Sequence, residues 1–198
     1  ISNSQQEHGF QWIQIGTDCV FSGKRGNYTE SDLFDPVDLY GESKVAGEKL
    51  SVGDIRIRCS IVGRDENSNS GLYEWFKLES SQKPIQGFTD HIWNGVSSTA
   101  FAKLTIGLFK EDIKGPIRQH WVPKDIVSKH ELLEIFSKEL GNKSVVTPIE
   151  TNQAIDRTLK TEKEMSNEEL WKLAGYGSVP SVGQLCQEFI SIDKQLGF

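Results

Sequence analysis

The sequence has little cysteine, almost no methionine and no strongly basic segment. Its three cysteines are scattered (Cys19, Cys59 and Cys186), and they form neither a Cys-x-x-Cys pair nor a Cys/His cluster. This distribution argues against a disulfide framework and a zinc site, and it favours a reducing compartment such as the cytosol. The only methionine is Met165 and the first residue is Ile1, so we expect the chain to begin within a domain.

Long apolar runs are also absent, and no stretch approaches the length that crosses a membrane. The formal net charge is −6 and there is no dense Lys/Arg run, so neither a nucleic acid nor a membrane is expected as a partner. Hydrophobic residues make up 36% and charged residues 25% of the 198 residues. This composition predicts a globular, cytoplasmic protein that is large enough to bury a core.

The first part of the sequence predicts a strand, a helix and a second strand. Ser2–Gly9 is typical of the end of a helix, and Phe10–Ile15 is a β-branched and aromatic run that predicts a strand. A helix is predicted from Leu39 to Leu50 with Asp38 as its N-cap, and a second strand over Ile55–Ile61. Strand, helix and strand in this order indicate a parallel βαβ unit with a right-handed crossover.

The rest of the sequence predicts further helices and strands. We expect a helix over Ser97–Phe109 and strands over Ile117–Val122 and Val145–Ile149. Three capping boxes open helices at Ser128, Ser166 and Ser181. The last helix has an apolar stripe that is expected to lie in the core: Leu185, Phe189, Ile192 and Leu196.

The predicted fold class is α/β, with a Rossmann-like parallel sheet and a smaller mixed α/β lobe. Residues 1–85 are expected to form the C-terminal part of an NAD(P)-binding domain. Residues 86–198 are expected to form a substrate-binding lobe, with some elements returning to the first sheet.

A tyrosine and a lysine four residues apart provide the strongest chemical signal. Tyr40 and Lys44 share one face of the predicted helix, and a lysine cation close to a phenol favours its ionised form, which suits proton transfer to a carbonyl. Thr17 directly follows a predicted strand, where parallel sheets present their ligands. Tyr73 and Lys77 have the same spacing, but Leu, Trp and Phe surround them and favour a packing helix.

Together these motifs resemble the dTDP-4-dehydrorhamnose reductase family of extended short-chain dehydrogenases. The resemblance rests on TDCVFSG at 17–23, YTE at 28–30, Asp32, Pro36 and YGESKVAGE at 40–48. It implies that Thr17 orients a keto oxygen, Tyr40 donates the proton, and Lys44 tunes Tyr40 and binds a cofactor ribose. The implied reaction is hydride transfer from NADPH or NADH to a nucleotide-diphospho-4-keto-6-deoxy sugar.

The resemblance also implies contacts around these catalytic residues. Ser60 and Ile61 are expected beside the cofactor with Tyr40 and Lys44, and the expected substrate contacts are Cys19, Val20, Phe21 and Trp93. A packing role for Trp93 is the alternative. We expect a nucleotide sugar as the ligand, with a homodimer as one candidate assembly.

Departures from the family pattern leave other functions open. Gly16, Cys19 and Ile61 replace the serine, tyrosine and tryptophan that are usual in the family, so a related 4-keto sugar fits equally well. No G-x-x-G-x-x-G or G-x-G-x-x-G loop is found, and we expect the segment alone to bind a dinucleotide poorly and to be inactive. The alternatives are a regulatory subunit resembling the β subunit of methionine adenosyltransferase, and a nucleotide-sugar epimerase or dehydratase.

Several other polar residues allow two interpretations. Glu30 and Asp32 contact a substrate or order their own loop. Arg157 binds a diphosphate through its planar fork, or it pairs with a neighbouring acid, which we favour. The four histidines lack metal-ligand spacing, so no metal site is expected.

Overall fold

The computed structural model describes residues 12–49, 54–65, 71–81, 83–142, 144–162 and 165–197. The helix end predicted over Ser2–Gly9 lies outside these residues. Ten strands are described: β1 (Ile13–Gly16), β2 (Ile55–Arg58), β3 (Ile61–Val62), β4 (Ile85–Phe88), β5 (His91–Trp93), β6 (Val96–Ser97), β7 (Ile117–His120), β8 (Val127–Ser128), β9 (Val146–Ile149) and β10 (Ile155–Asp156). The described helices are α1 (Leu39–Lys49), α2 (Leu72–Ser80), α3 (Ser98–Lys110), α4 (Lys129–Leu140), α5 (Asn167–Leu173) and α6 (Val182–Gln195).

A three-stranded parallel sheet, in the order β1-β2-β7, forms the frame of the molecule. β1 and β2 pair in parallel, from Ile13 opposite Ile55 to Gly16 opposite Arg58, and α1 connects them. The predicted βαβ unit is therefore confirmed, and so is the α/β fold class. β7 extends the sheet beyond β2 although it belongs to residues 86–198. The domain division after residue 85 remains a prediction.

The strand predicted over Ile55–Ile61 was wrong in its length, because the chain changes sheets within it. β2 ends at Arg58, and Ile61 and Val62 form β3, which pairs with β6 instead. The backbone N–H of Val96 donates to the Ser60 carbonyl at 2.8 Å, which fixes the crossing point. The alternation of side chains continues past Arg58, so the pattern alone did not reveal the break.

The described residues form two large apolar cores and a smaller cluster of Val20, Phe21, Tyr28 and Leu159. The first lies between the parallel sheet and helices α3 and α5, where the rings of Trp121 and Trp171 are 4.1 Å apart. The second lies between α2, α4 and α6, where Tyr73, Phe136 and Phe189 are fully or almost fully buried. The two cores make one continuous framework, since α3 packs against both α5 and α6.

The helix boundaries follow the sequence signals closely. All three predicted capping boxes are formed, and Gly141 ends α4 in the left-handed conformation at φ 72°. One part of the predicted apolar stripe on α6 was wrong, because Leu196 is 66% exposed. It follows the last turn of the helix, so the helical period no longer turns its side chain toward the core.

Candidate active site

A cleft opens at the carboxyl end of β1, next to the N-terminal half of α1. Its volume is about 420 Å³. It is lined by Ile15, Gly16, Thr17, Asp18, Cys19, Tyr40, Lys44, Cys59, Ser60 and Ile61. The structure thus brings together all three residues predicted to be catalytic, all four predicted cofactor contacts and one of the predicted substrate contacts. Their roles remain predictions.

Thr17 is held rigidly where the chain leaves β1. Its backbone is extended, and its side chain caps a 3-10 turn over Asp18–Val20 by accepting from the N–H of Cys19 at 3.2 Å. The Thr17 hydroxyl also lies 3.3 Å from a carboxylate oxygen of Asp18. The hydroxyl is half-buried on the cleft wall, as expected for a group that orients a ligand.

Tyr40 and Lys44 lie on one face of α1. The Asp38 carboxylate accepts a hydrogen bond from the N–H of Gly41 at 2.7 Å, which confirms its predicted capping role. Lys44 Nζ is 5.2 Å from the centre of the Tyr40 ring, and Tyr40 is 54% exposed. Both groups therefore remain accessible from the cleft.

Gly41 allows α1 to approach the Thr17 turn. A Cβ at this position would lie 2.3 Å from the carbonyl oxygen of Cys19, a distance that no side chain tolerates. A glycine is therefore required for the helix that carries Tyr40 to lie against the turn that carries Thr17.

A buried ion network joins α1 to the sheet. The Arg58 guanidinium donates to both oxygens of Glu48 on α1, at 2.9 and 2.7 Å, and to the Thr17 carbonyl at 2.8 Å. Glu48 also pairs with Arg56, which pairs in turn with Asp54 at 3.1 Å. Bidentate pairing fixes both distance and angle. Arg58 therefore connects the segment carrying Thr17 to the helix carrying Tyr40.

The sequence analysis missed this network. Its signal was present in IRIR over 55–58, where the period of a strand places both arginines on one face. Buried arginines require acidic partners, and Glu48 lies near the end of the preceding helix. The spacing of the sequence did not show which acidic residue would pair with the two arginines.

Cys19 and Arg157 meet at the far side of the Thr17 turn. Arg157 Nε donates to the Phe21 carbonyl at 3.0 Å, and Nη1 is 3.9 Å from the Cys19 sulfur. The prediction that Arg157 pairs with a neighbouring acid was wrong, since no carboxylate of the described residues lies within ion-pair distance of it. Asp18 interacts with it only electrostatically, from a greater distance. Burial, followed by the Asp18 charge, raises the pKa of the Cys19 thiol, which favours its neutral form.

The other predicted substrate contacts are more deeply buried. Val20 and Phe21 have no exposed surface, so any contact with a ligand would use their backbone. Trp93 is 5% exposed, and its Nε1 donates to the Ser60 hydroxyl at 2.8 Å. These three residues stay predictions as substrate contacts.

The acidic residues of the 28–32 loop order the chain around them. Glu30 accepts from the N–H of His120 at 2.8 Å and from the Thr161 hydroxyl at 2.7 Å. Asp32 accepts from the N–H of Thr29 at 2.6 Å and forms an ion pair with Arg25. Between the two interpretations of these residues, the contacts favour loop ordering.

The part of the chain that the structure describes contains no group of three or more metal-ligating side chains. No helix there is both long and apolar enough to span a bilayer.

The parallel sheet, the βαβ unit and the cleft at a strand end define a Rossmann-type α/β protein. Residues 1–190 match the family described as the RmlD substrate binding domain, and the chain belongs to this family.

Three known proteins illustrate the similarity. The spore coat polysaccharide biosynthesis protein SpsK of Bacillus subtilis is 28% identical over 155 residues, which cover 76% of this chain and 53% of SpsK. Methionine adenosyltransferase 2 subunit beta of Rattus norvegicus is 29% identical over 133 residues, which cover 61% of this chain and 39% of that protein. The chain thus spans about half the length of SpsK, and less of the rat protein.

The crystal structure of dTDP-4-dehydrorhamnose reductase from Bacillus anthracis, in complex with NADP, shares the fold. Its TM-score is 0.75 at 21% sequence identity, and the match covers 96% of this chain and 68% of that one.

Proposed function

We propose that the protein carrying this chain is an NAD(P)H-dependent reductase of a nucleotide-diphospho-4-keto-6-deoxy sugar. The observation that carries this proposal is the convergence of the Thr17 hydroxyl, the Tyr40 phenol and the Lys44 ammonium on one cleft at a strand end. Membership in the RmlD substrate binding domain family supports it. The NADP complex of the Bacillus anthracis reductase, which has the same fold, supports the choice of cofactor.

The residues that are present fit the nicotinamide end of such a cofactor. Tyr40 and Lys44 offer an exposed hydroxyl and an exposed ammonium to a ribose, and Ser60 and Ile61 line the same cleft. Ile61 is 39% exposed and offers an apolar surface to a flat ring. When bound, the nicotinamide would supply the hydride.

The protein's own groups would then handle the oxygen of the substrate. The Thr17 hydroxyl would donate to the keto oxygen and fix its position, in exchange for its present contact with Asp18. Tyr40 would transfer its phenolic proton to the same oxygen as the carbonyl is reduced. The positive charge of Lys44 would stabilise the phenolate that results.

The proposed domain division follows from these roles. Residues 1–85 carry the three catalytic groups and the proposed cofactor contacts. Residues 86–198 carry Trp93, which donates to Ser60, and Arg157, which lies beside Cys19; both would contact the substrate with Cys19, Val20 and Phe21.

Replacing Tyr40 by Phe tests the proposal. In the whole protein we expect turnover of a dTDP-linked 4-keto-6-deoxyhexose to fall by about 10²- to 10⁴-fold, because the general acid is lost, while NADPH binding is largely retained. Tyr73→Phe is the matched control, since it removes the same hydroxyl outside the cleft. Unchanged turnover of Tyr40→Phe would contradict the proposal. Product formation without net NAD(P)H consumption would indicate an epimerase or a dehydratase.

A regulatory subunit is the second candidate, favoured by the similarity to methionine adenosyltransferase 2 subunit beta. Such a protein would bind its partner in a stoichiometric complex and reduce no keto sugar. Purification from its natural source, followed by mass measurement of the complex and a reductase assay, separates the two functions.

A further inference from the structure

A second, smaller cavity lies next to the active-site cleft and shares lining residues with it. Its volume is about 110 Å³. It is lined by Ser60, Ile61, Val62, Gly63, Gly71, Leu72, Trp93 and Lys129. Ser60 and Ile61 line both cavities, so the two cavities are neighbours. The volume suits one small chemical group rather than a base or a sugar ring.

Among the residues that the structure describes, Lys129 is the only charged one that lines this second cavity. Its Nζ lies 5.1 Å from the centre of the Trp93 ring. Among the described residues it has no hydrogen-bond acceptor within 3.5 Å and no carboxylate within 4.0 Å. An ammonium has three N–H donors, and a cation–π contact satisfies none of them. A half-buried cation in this state indicates a missing anionic partner.

The nearby acids are already engaged or too far away. Glu131, two residues along α4, accepts from the N–H and the hydroxyl of Ser128 in the capping box. Asp18 acts on Lys129 through space, from beyond ion-pair distance. Burial lowers the pKa of the Lys129 ammonium, and the charge of Asp18 offsets part of that effect.

The position of Lys129 is fixed by the fold. It is the first residue of α4, directly after β8, and β8 pairs with β5 so that Val127 lies opposite Trp93. Trp93 is anchored in turn by its hydrogen bond to Ser60. A cation at the start of a helix faces the positive end of the helix dipole, so stability alone does not favour it there.

We propose that Lys129 binds a negatively charged oxygen group of the substrate, held in the second cavity while the sugar carbonyl lies at Tyr40. This subsite rests on the proposed function. The group is a phosphate of the nucleotide diphosphate, because the diphosphate is the anionic part of a 4-keto-6-deoxy sugar nucleotide.

Lys129→Met in the whole protein tests the subsite, with calorimetric binding of thymidine, dTDP, UDP-glucose and UDP-glucuronate. Loss of a charge-assisted hydrogen bond weakens binding by about 10- to 100-fold. A loss shared by dTDP and UDP-glucose, with thymidine unchanged, identifies the phosphate. A loss confined to UDP-glucuronate would overturn the phosphate subsite, because it would place the sugar carboxylate at Lys129 instead. Lys129→Arg should retain most of the affinity for dTDP.

Lys138→Met is the matched control, since Lys138 lies on the same helix and its side chain is 83% exposed. Affinities that Lys129→Met leaves unchanged would overturn the subsite while leaving the proposed function intact. Failure of the unsubstituted protein to bind any of the nucleotides would overturn both. Thermal unfolding of each variant establishes that the binding measurements refer to folded protein.

Discussion

Two helices of this protein carry the same Tyr-x-x-x-Lys spacing, and only one of the two tyrosines is exposed. The local geometry is nearly identical: the lysine Nζ lies 5.2 Å from the ring centre in the Tyr40–Lys44 pair and 5.3 Å in the Tyr73–Lys77 pair. Tyr40 is 54% exposed, whereas Tyr73 is fully buried. The spacing therefore determines how the two side chains meet, and the surroundings determine what they are free to do.

The surroundings differ because the two helices are anchored differently. α2 is held by its own apolar residues, since Tyr73 and Phe76 are fully buried and the Tyr73 hydroxyl donates to Asp193 at 2.9 Å. α1 is held by Glu48, whose carboxylate accepts a hydrogen bond from the Arg58 guanidinium. Because an ion pair holds α1 in place, Tyr40 is not needed for packing and stays available for chemistry. In α2 the tyrosine itself holds the helix in place.

Replacing each lysine in turn is the most direct test of whether the surroundings distinguish the two pairs. We expect Lys44→Met to lower turnover of the whole protein by about 10²-fold or more, because the cation beside Tyr40 is lost. Lys77→Met should leave the turnover of the folded protein close to its original value, since Lys77 contacts Asp193 and not the cleft. Steady-state kinetics of both variants provide the measurement. Equal losses in the two variants would show that the surroundings do not distinguish the pairs.

The ionic anchor of α1 gives the second prediction. Glu48→Ala leaves the buried Arg56 and Arg58 without their shared carboxylate, and we expect the free energy of unfolding to fall by about 3–5 kcal/mol. Glu42→Ala, on the exposed side of the same helix, should change it by about 0.5 kcal/mol at most. Urea unfolding of both variants makes this comparison. A small effect at Glu48 would mean that apolar contacts are sufficient to hold α1.

The smallest change in the free energy of unfolding is expected for replacement of Tyr73, and this change depends on pH. Burial, followed by the hydrogen bond to Asp193, raises the pKa of Tyr73 above its ordinary value of 10.0. The unfolded chain therefore releases this proton first, so the stabilising contribution is complete below pH 10 and decreases as the pH rises further. Tyr73→Phe should cost about 1 kcal/mol at neutral pH and show a shallower loss of stability above pH 10. Parallel pH profiles of the two proteins would contradict this assignment.

Signals that act over three or four residues predicted the structure well. Ser128, Ser166 and Ser181 each open a helix because both partners of a capping box lie within one turn. The residues around Thr17 and Tyr40 were also found correctly as neighbours, because a strand end and the following helix must meet in a parallel sheet.

Long-range pairing was not predictable from the pattern. Arg58 pairs with Glu48 and Thr17, which are 10 and 41 residues away in the sequence. No sequence signal near Arg58 indicates these partners. Lys129 was visible only as part of a capping box, because its approach to Trp93 depends on the pairing of β5 with β8. The sequence pattern could not distinguish a buried Phe21 from a ligand contact, since both require an apolar residue after a strand.

The bond between Arg58 and Thr17 also bears on how the protein folds. It closes a segment of 41 residues, whereas the bond from Asn27 to Thr158 closes one of 131. By chain entropy alone the longer closure costs about 1 kcal/mol more. We therefore expect the frame around Thr17, Tyr40 and Lys44 to assemble from a contiguous stretch of chain, and the distant loop to dock onto it afterwards.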